Sequence, residues 1–401
     1  MAPQSRAIAD GFGARLALFY AGLFVVVGIQ LPFFPVWLKA KGLDAGAIGL
    51  VVATPILVRV VAVPIAARLA DRRGALRQVL VASSAGAAMG YALVGWAEGF
   101  AAIIATVALA AALAAPAIPL ADAYALKGLT LRGRAYGPVR LWGSAAFIAA
   151  NFAAGFASGY IAPTGYIWLI VAASALAAAA SLALRPLRPG GAPDAALPRP
   201  RRRLLATPGV LPVAIGASLI QASHAVYYGF ATLDWSGKGL SGTAVGALWA
   251  VGVAAEMVLF ALSARLPALT PRALLILGAA GAAVRWAAMA LDPPGVLLVP
   301  LQCLHALSFG ASFLGAVQFL ARVAPEAEGA TVQGDFSTLQ GIVTAAATGL
   351  SGVLYGSLGA LAYAAMAACA ALGGIVIWYS GVRDRPSGIR AAGSAPNNFD
   401  T

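Results

Sequence analysis

Long apolar stretches alternate with short polar connectors along almost the whole chain. Each stretch approaches or exceeds about 20 residues, which is enough for an α-helix to cross the hydrocarbon core of a bilayer. Backbone polar groups in lipid must be satisfied internally, and no short alternating strands appear, so the pattern predicts membrane helices. Twelve spans are predicted, at residues 15–38, 47–69, 76–96, 101–125, 138–160, 165–185, 208–232, 243–264, 272–291, 295–321, 331–355 and 360–381.

Basic residues are distributed unevenly among the connectors. The connectors after even-numbered spans hold most of the arginines, whereas the others hold two lysines at most. Because basic residues stay on the cytoplasmic side, both termini are predicted to face the cytoplasm. The longest connector is rich in Pro, Gly and Arg, and it divides the chain. The predicted units are an N-terminal six-helix bundle (1–186), a cytoplasmic linker (187–207), a C-terminal six-helix bundle (208–383) and a disordered cytoplasmic tail (384–401).

Composition supports a multi-pass membrane protein and excludes several other classes. The chain is 61% hydrophobic and 10% charged, and its net charge is +13. That charge lies in the connectors and no aromatic-basic stripe accompanies it, so no nucleic-acid partner is expected. Cys303 and Cys369 lie in apolar stretches, where small core residues are a better interpretation than a disulfide. The chain lacks the H-E-x-x-H and G-x-S-x-G motifs and any metal-spaced His/Cys cluster. We therefore expect no enzyme activity, no cofactor and no bound metal.

The connector after the second span carries a motif that narrows the fold. Ala67 is followed by Asp71, Arg72, Arg73 and Gly74, and then by Arg77. With the layout of six plus six spans, this motif resembles that of the major facilitator superfamily, in which Gly stands where this chain has Ala67. The resemblance implies an all-α membrane fold of twelve helices in two bundles, and a gate on the inner side that involves Asp71, Arg72 and Gly74. Without the resemblance, the cluster is an ordinary basic turn.

Three further stretches resemble one part of that superfamily. Residues 30–38 (Q-L-P-F-F-P-V-W-L) are similar to the first span of the oligosaccharide/proton symporters, the lactose permease group. Residues 136–144 (Y-G-P-V-R-L-W-G-S) and 224–230 (H-A-V-Y-Y-G-F) are similar to the related 3-phenylpropionate transporter branch. The resemblance implies a monomeric, proton-coupled secondary transporter of a small molecule, surrounded by lipid in a bacterial-type cytoplasmic (inner) membrane.

Ionisable and polar residues within the spans are the candidate substrate-binding groups, because such groups are costly in lipid and usually functional. Asp122 and Arg140 face each other across a tight connector. Arg140, Ser144, Phe147 and Asn151 share one helix face. An inner-surface anchor is the structural alternative for Arg140, and a structural pair is the alternative for Arg59. The predicted substrate-binding residues are Arg59, Asp122, Arg140, Asn151, His224, Tyr228 and Trp249.

Glu256, Arg285 and His305 are the candidate proton-coupling residues. They resemble the carboxylate, arginine and histidine that the lactose permease group carries on spans 8, 9 and 10. One turn after the histidine that group has a second carboxylate, which carries the proton, and this chain has Ser308 there. Glu256 and Asp122 are therefore the candidate proton carriers, with His305 as a relay. The alternative for each histidine is a satisfied core residue.

Asp335 is a further candidate gating residue, in addition to Asp71, Arg72 and Gly74. In this fold the second and eleventh spans are neighbours across the two halves, and Asp335 matches Arg68 or Arg72 in depth. We expect a salt bridge there that breaks when the inner side opens.

The predicted function is proton-coupled uptake of a small aromatic carboxylate by alternating access. Two acid–base pairs leave Arg59 without a partner, and a substrate carboxylate would supply one. Aromatic side chains could stack on the substrate ring; these are Phe33, Phe34, Phe147, Tyr228 and Trp249. The alternatives are a proton symporter for a sugar or nucleoside and a non-transporting membrane sensor or scaffold.

Overall fold

The computed structural model describes residues 11–187, 209–263, 269–323 and 329–380, and every regular element in these ranges is helical. The N-terminal helices are α1 (Phe12–Ala40), α2 (Ala45–Arg73), α3 (Leu76–Trp96), α4 (Gly99–Ala114), α5 (Ala117–Thr130), α6 (Gly137–Ala157) and α7 (Tyr166–Leu182). The remaining helices are α8 (Val210–Ala222), α9 (Ala225–Gly237), α10 (Gly242–Ser263), α11 (Pro271–Ala290), α12 (Gly295–Cys303), α13 (Ser312–Val323), α14 (Gly329–Leu358) and α15 (Ala362–Tyr379). The linker from position 188 onward and the predicted tail lie outside the described residues.

Ten segments of the described chain are long and apolar enough to cross a membrane, which agrees with a multi-pass helical protein. The helix α6, which carries Arg140 and Asn151, is not among the ten. The tenth segment, Val332–Tyr379, contains most of α14 and all of α15.

Three of the predicted spans consist of more than one helix. The span predicted at 101–125 contains α4 and α5, which meet at Pro116. Proline lacks an N–H donor and clashes with the preceding turn, so an interruption there has a direct cause. The span at 208–232 contains α8 and α9, which meet at Ser223 and His224. The hydroxyl of Ser223 donates to the carbonyl of Ile220 at 2.6 Å and so competes with the helical ladder.

The span predicted at 295–321 is the third interrupted one. Here α12 is followed by a π-helical segment, Ala306–Ala311, before α13 begins. Single-turn π segments inside α-helices often accompany functional sites. This segment contains Ser308 and directly follows His305, so the irregular backbone lies where the sequence places candidate chemistry.

The second helix ends in the tight turn that the motif predicts. Gly74 adopts a left-handed conformation with φ 57°, which glycine reaches without steric cost. Its N–H donates to the carbonyl of Asp71, and the N–H of Ala75 donates to that of Ala70. These bonds satisfy the last carbonyls of α2 and turn the chain directly into α3.

The two halves of the chain meet along two glycine-lined seams. In the α2–α14 seam Gly49 packs against Gly352, and in the α6–α10 seam Gly155 packs against Gly242. We call this end of the molecule the closed end. The larger hydrophobic cluster of the protein contains residues of both halves, whereas a second cluster, at the opposite end, contains only N-terminal residues. At that opposite end Arg68 of α2 is exposed.

Candidate functional site

Asp122 of α5 lies at the centre of a polar cluster in the N-terminal half. Its Oδ1 accepts hydrogen bonds from the hydroxyls of Tyr20 at 2.6 Å and Tyr136 at 2.8 Å. The Nε of Arg140 lies 3.9 Å from the same oxygen. The predicted pairing of Asp122 with Arg140 is therefore present, although the two tyrosines make the closer contacts.

The guanidinium of Arg140 is positioned by aromatic rings. Its Cζ lies 4.0 Å from the ring centre of Phe24 and 5.4 Å from that of Tyr20. Cations are attracted to aromatic faces, and a planar guanidinium also stacks on them. Arg140 is half-buried, and its Nε edge faces Asp122. Its two terminal nitrogens form no hydrogen bond with the described residues.

Arg59 of α2 is the third ionisable candidate of this half. Its side chain is exposed and forms no hydrogen bond or ion pair within the described ranges. The structure thus does not bring Arg59 into direct contact with the Asp122 cluster. The sequence-based expectation that Arg59 lacks a protein partner agrees with this arrangement.

The C-terminal half contains a buried network centred on Arg285 of α11. This guanidinium is fully buried, and it stacks over Tyr227 at 4.5 Å and Trp286 at 4.4 Å. Its hydrogen-bond partners are His305 at 3.0 Å, Ser308 at 3.2 Å and Gln302. All three are uncharged acceptors. A buried cation without a contacting carboxylate is costly, so the position of the nearest acid matters.

Glu256 of α10 is the acid that contacts this network, and it does so through His305. Its Oε2 lies 3.6 Å from Nε2 of His305, while Nδ1 of the same ring faces Arg285. Guanidinium groups only donate, so Nδ1 must accept and the proton of the neutral ring must be on Nε2. This tautomer directs an N–H toward Glu256. The predicted trio of Glu256, Arg285 and His305 is thus one connected unit.

His224 joins the same network from the break between α8 and α9. Its Nδ1 lies 3.1 Å from the carbonyl of Gln221 and its Nε2 lies 3.2 Å from the hydroxyl of Ser308. A carbonyl only accepts, so Nδ1 carries the proton and Nε2 accepts from Ser308. Ser308 therefore accepts from Arg285 and donates to His224. Ser308 thus bridges Arg285 and His224.

Tyr228 and Trp249 belong to an aromatic group beside the network. Tyr228 stacks on His224 at 5.6 Å and on Trp249 at 6.1 Å. Trp249 is almost fully buried, and its indole N–H donates to Thr232 at 3.0 Å. Of the other aromatic residues proposed to contact substrate, Phe33 packs on Tyr166 and Phe34 stacks on Trp37. These two phenylalanines are buried in the core in this conformation.

Asn151 lies at the closed end. Its Nδ2 donates to the carbonyl of Phe147 at 2.7 Å, and its Oδ1 is buried without a partner among the described residues. A Cβ added to Gly246 would lie 2.3 Å from the carbonyl oxygen of Asn151. This residue is thus placed in the α6–α10 seam, and its side chain faces the packed interior.

The two halves of the site approach each other across that seam. The pairs Gly155–Gly242 and Asn151–Gly246 define an antiparallel register of α6 and α10. Extending it brings Arg140 to the level of Glu256. The described central charges are the guanidinium groups of Arg59, Arg140 and Arg285 and the carboxylates of Asp122 and Glu256. Cations exceed anions by one when both acids are ionised.

The gating residues lie outside this central group. Asp71 and Arg72 are exposed at the end of α2. Asp335 of α14 is half-buried and forms no ion pair within the described ranges. Contacts of Gly49 with Gly352 and of Gly341 with Val60 fix the register of α2 and α14. Extending that register brings Asp335 level with Ala66, two residues before Arg68. The expected salt bridge therefore remains a prediction for another conformation.

Sequence reasoning missed several residues that complete the site. They are Tyr20 and Tyr136 at Asp122, Phe24 at Arg140, and the pairing of Gln302 with Arg285. The available signal for Gln302 was an amide inside an apolar stretch, where such groups are expensive. The aromatic residues gave no comparable signal. Within the described ranges, no three His, Cys, Asp or Glu side chains come together as a metal site.

The sequence profile of the MFS_1 like family matches residues 14–365, which is most of the chain. The chain belongs to the MFS_1 like family. This confirms the superfamily resemblance on which the sequence interpretation relied.

Two relatives and one solved structure illustrate the relationship. The chain is 32% identical over 327 residues to a probable 3-phenylpropionic acid transporter of Escherichia coli K12, covering 76% of this chain and 81% of that protein. It is 33% identical over 321 residues to a maltose permease of Geobacillus stearothermophilus, covering 77% and 79%. The crystal structure of the nucleoside transporter NupG superposes with a TM-score of 0.76 at 14% identity, covering 92% and 98%. That last similarity concerns the fold alone.

Proposed function

We propose that this protein is a secondary transporter that couples the uptake of a small aromatic carboxylate to the uptake of protons. The observation that carries the proposal is the connection from Arg285 through His305 to Glu256. It links a buried cation to an acid that can gain or lose a proton. Protonation of Glu256 would leave the charge of Arg285 uncompensated, and an incoming anion would then be favoured.

The charge balance of the central residues supports an anionic substrate. Arg59 has no protein partner within the described ranges, and the terminal nitrogens of Arg140 form no hydrogen bond there. A guanidinium can hold a carboxylate through two parallel hydrogen bonds. The relative described as a probable 3-phenylpropionic acid transporter favours an aromatic acid among carboxylates.

The proposed mechanism is alternating access about the central site. Twelve spans in two six-helix bundles follow if α6 crosses the membrane and α14 and α15 cross separately. With the arginine-rich connectors inside, both termini face the cytoplasm and the closed end is the outer one. The described conformation is then open inward. Glu256 binds its proton from outside, the substrate binds between the halves, and both leave on the inner side. The expected location is a bacterial-type inner membrane, and a monomer is sufficient.

The test is uptake of labelled 3-phenylpropionate into proteoliposomes, with and without an inward proton gradient. Protein-free liposomes are the control, because the neutral acid also crosses bilayers unaided. We expect accumulation of the labelled acid above the level in that control. A protonophore should abolish the accumulation. Gradient-independent uptake would remove proton coupling from the proposal.

A sugar substrate is the second candidate, since the maltose permease is about as similar as the aromatic acid transporter. Uptake of maltose, with exclusion of 3-phenylpropionate, would establish it. A nucleoside belongs in the same panel. No uptake of any probe would favour the non-transporting sensor or scaffold.

A further inference from the structure

We propose that Tyr20 and Tyr136 determine substrate selectivity by occupying Asp122, so that the site accepts a carboxylate and excludes a hydroxyl-rich molecule. This inference rests on the proposed transport of an aromatic carboxylate and explains how the site would discriminate against sugars.

Both tyrosines use the same oxygen of the Asp122 carboxylate. Both hydroxyls donate to one oxygen, Oδ1 of Asp122, and Nε of Arg140 faces that oxygen as well. An ionised carboxylate has about four lone-pair sites on its two oxygens. Two close donors and one charged neighbour therefore saturate Oδ1. The other oxygen, Oδ2, accepts no hydrogen bond from the described residues.

The occupied Oδ1 of Asp122 disfavours the binding of a sugar diol. A carboxylate binds a sugar most strongly when its two oxygens accept hydrogen bonds from two neighbouring sugar hydroxyls. With Oδ1 engaged, Asp122 can offer only one oxygen, and a diol would have to displace a tyrosine. A buried donor that loses its partner is costly, and Tyr20 is fully buried. The cluster thus disfavours a substrate that binds mainly as a donor.

The guanidinium of Arg140 remains available to a substrate carboxylate. Arg140 uses only its Nε edge toward Asp122, and stacking on Phe24 holds its plane. Its terminal nitrogens can then donate in parallel to a carboxylate. The tyrosines make Asp122 a fixed countercharge of Arg140, and they leave the guanidinium as the binding group.

The tyrosine arrangement also belongs to one rigid unit. Tyr20 lies on α1, Asp122 on α5, and Tyr136 directly before α6, all in the N-terminal half. The two tyrosine rings meet edge to face at 6.4 Å. A movement of one half against the other would leave these contacts intact, so the selectivity would persist through a transport cycle.

The experiment compares maltose and unlabelled 3-phenylpropionate as inhibitors of labelled 3-phenylpropionate uptake in proteoliposomes. The variants are Tyr20→Phe, Tyr136→Phe and the double variant. Tyr91→Phe is the matched control, because it removes a hydroxyl that bonds Gln30 in the same half. In the double variant we expect the inhibitory strength of maltose relative to 3-phenylpropionate to rise about tenfold, since Oδ1 can then accept from the sugar.

Each single variant should shift the ratio in the same direction by less, so the test survives if the double variant does not fold. Tyr91→Phe should leave the ratio unchanged. Active tyrosine variants with an unchanged ratio would overturn the inference, and so would an equal loss of affinity for both probes. Wild-type protein that takes up maltose and excludes 3-phenylpropionate would overturn the proposed substrate, and the inference with it. That outcome is visible in the wild type alone.

Discussion

A methyl group added at Gly49 should push the protein away from the described conformation. A Cβ at this position would lie 2.8 Å from the Cα and 2.9 Å from the N of Gly352, and 3.0 Å from the carbonyl oxygen of Gly349. All three are backbone atoms of α14, so no side-chain rotation can relieve the clash. The two helices must separate, which opens the closed end.

The size of the effect follows from the cost of overpacking. Inserting a methyl group into a tightly packed contact typically costs about 1–3 kcal/mol. The clash exists only while the α2–α14 seam is closed, so the cost enters the equilibrium between conformations. A difference of this size changes the ratio of two conformations by about 5- to 150-fold. Gly49→Ala should therefore populate the conformation in which the closed end is open.

The assay measures exposure of the α6–α10 seam, so that the substitution at Gly49 and the reporter cysteine lie on different pairs of helices. Ser158 lies in the α6–α10 seam, where a Cβ on Gly242 would meet its hydroxyl. With Cys303 and Cys369 replaced by serine, Ser158→Cys becomes the single target of a membrane-impermeant maleimide. Gly49→Ala should accelerate its labelling at least fivefold, in line with the population change.

Gly349→Ala is the matched control on the same pair of helices. Its Cβ would meet only Cδ2 of Leu50 at 3.7 Å, an ordinary contact. Labelling in this variant should match that of the unperturbed protein. Equal labelling rates in Gly49→Ala and Gly349→Ala would refute the reasoning that the glycine seams hold the closed end together.

Three other substitutions test single roles. Glu256→Gln should abolish gradient-driven accumulation but retain exchange of labelled for unlabelled substrate, because the amide cannot carry a proton; retained accumulation in proteoliposomes would exclude Glu256 as the carrier. Arg59→Lys should raise the KM for 3-phenylpropionate about tenfold, because lysine cannot hold a carboxylate bidentately; normal uptake kinetics would show that Arg59 does not bind substrate. Asp335→Asn should favour the inward-open conformation, measured as faster labelling of Thr338→Cys from the cytoplasmic side; an unchanged rate would remove Asp335 from the gate.

Much of the helical architecture could be predicted because its signals are local. Apolar length places the spans, and the Asp-Arg-Arg-Gly cluster places the turn at Gly74. The interruption at Ser223 and His224 has no proline to mark it, and the π segment depends on contacts between distant helices. A serine hydroxyl alone does not mark a helix break, and contacts between distant helices arise from tertiary packing, which a single sequence does not display.

The site residues that could be predicted from the sequence are those that place a charge within an apolar span. Asp122, Arg140, Glu256 and Arg285 could be named for that reason. Their aromatic neighbours could not, because Tyr20 is one of many aromatic residues in apolar stretches, and its role depends on the rotation of α1 against α5. The expectation that Phe33 and Phe34 contact substrate was made on residue type alone, and both are buried in the core in this conformation.

Proton movement driven by substrate tests the central claim most directly. Proteoliposomes with a lumenal pH dye and no initial pH gradient would receive external 3-phenylpropionate, with protein-free liposomes as the control for passive entry of the neutral acid. The account predicts lumenal acidification faster than in the control, and its reduction to the control rate in Glu256→Gln. Labelled substrate that enters through the protein without any acidification beyond the control would contradict proton coupling.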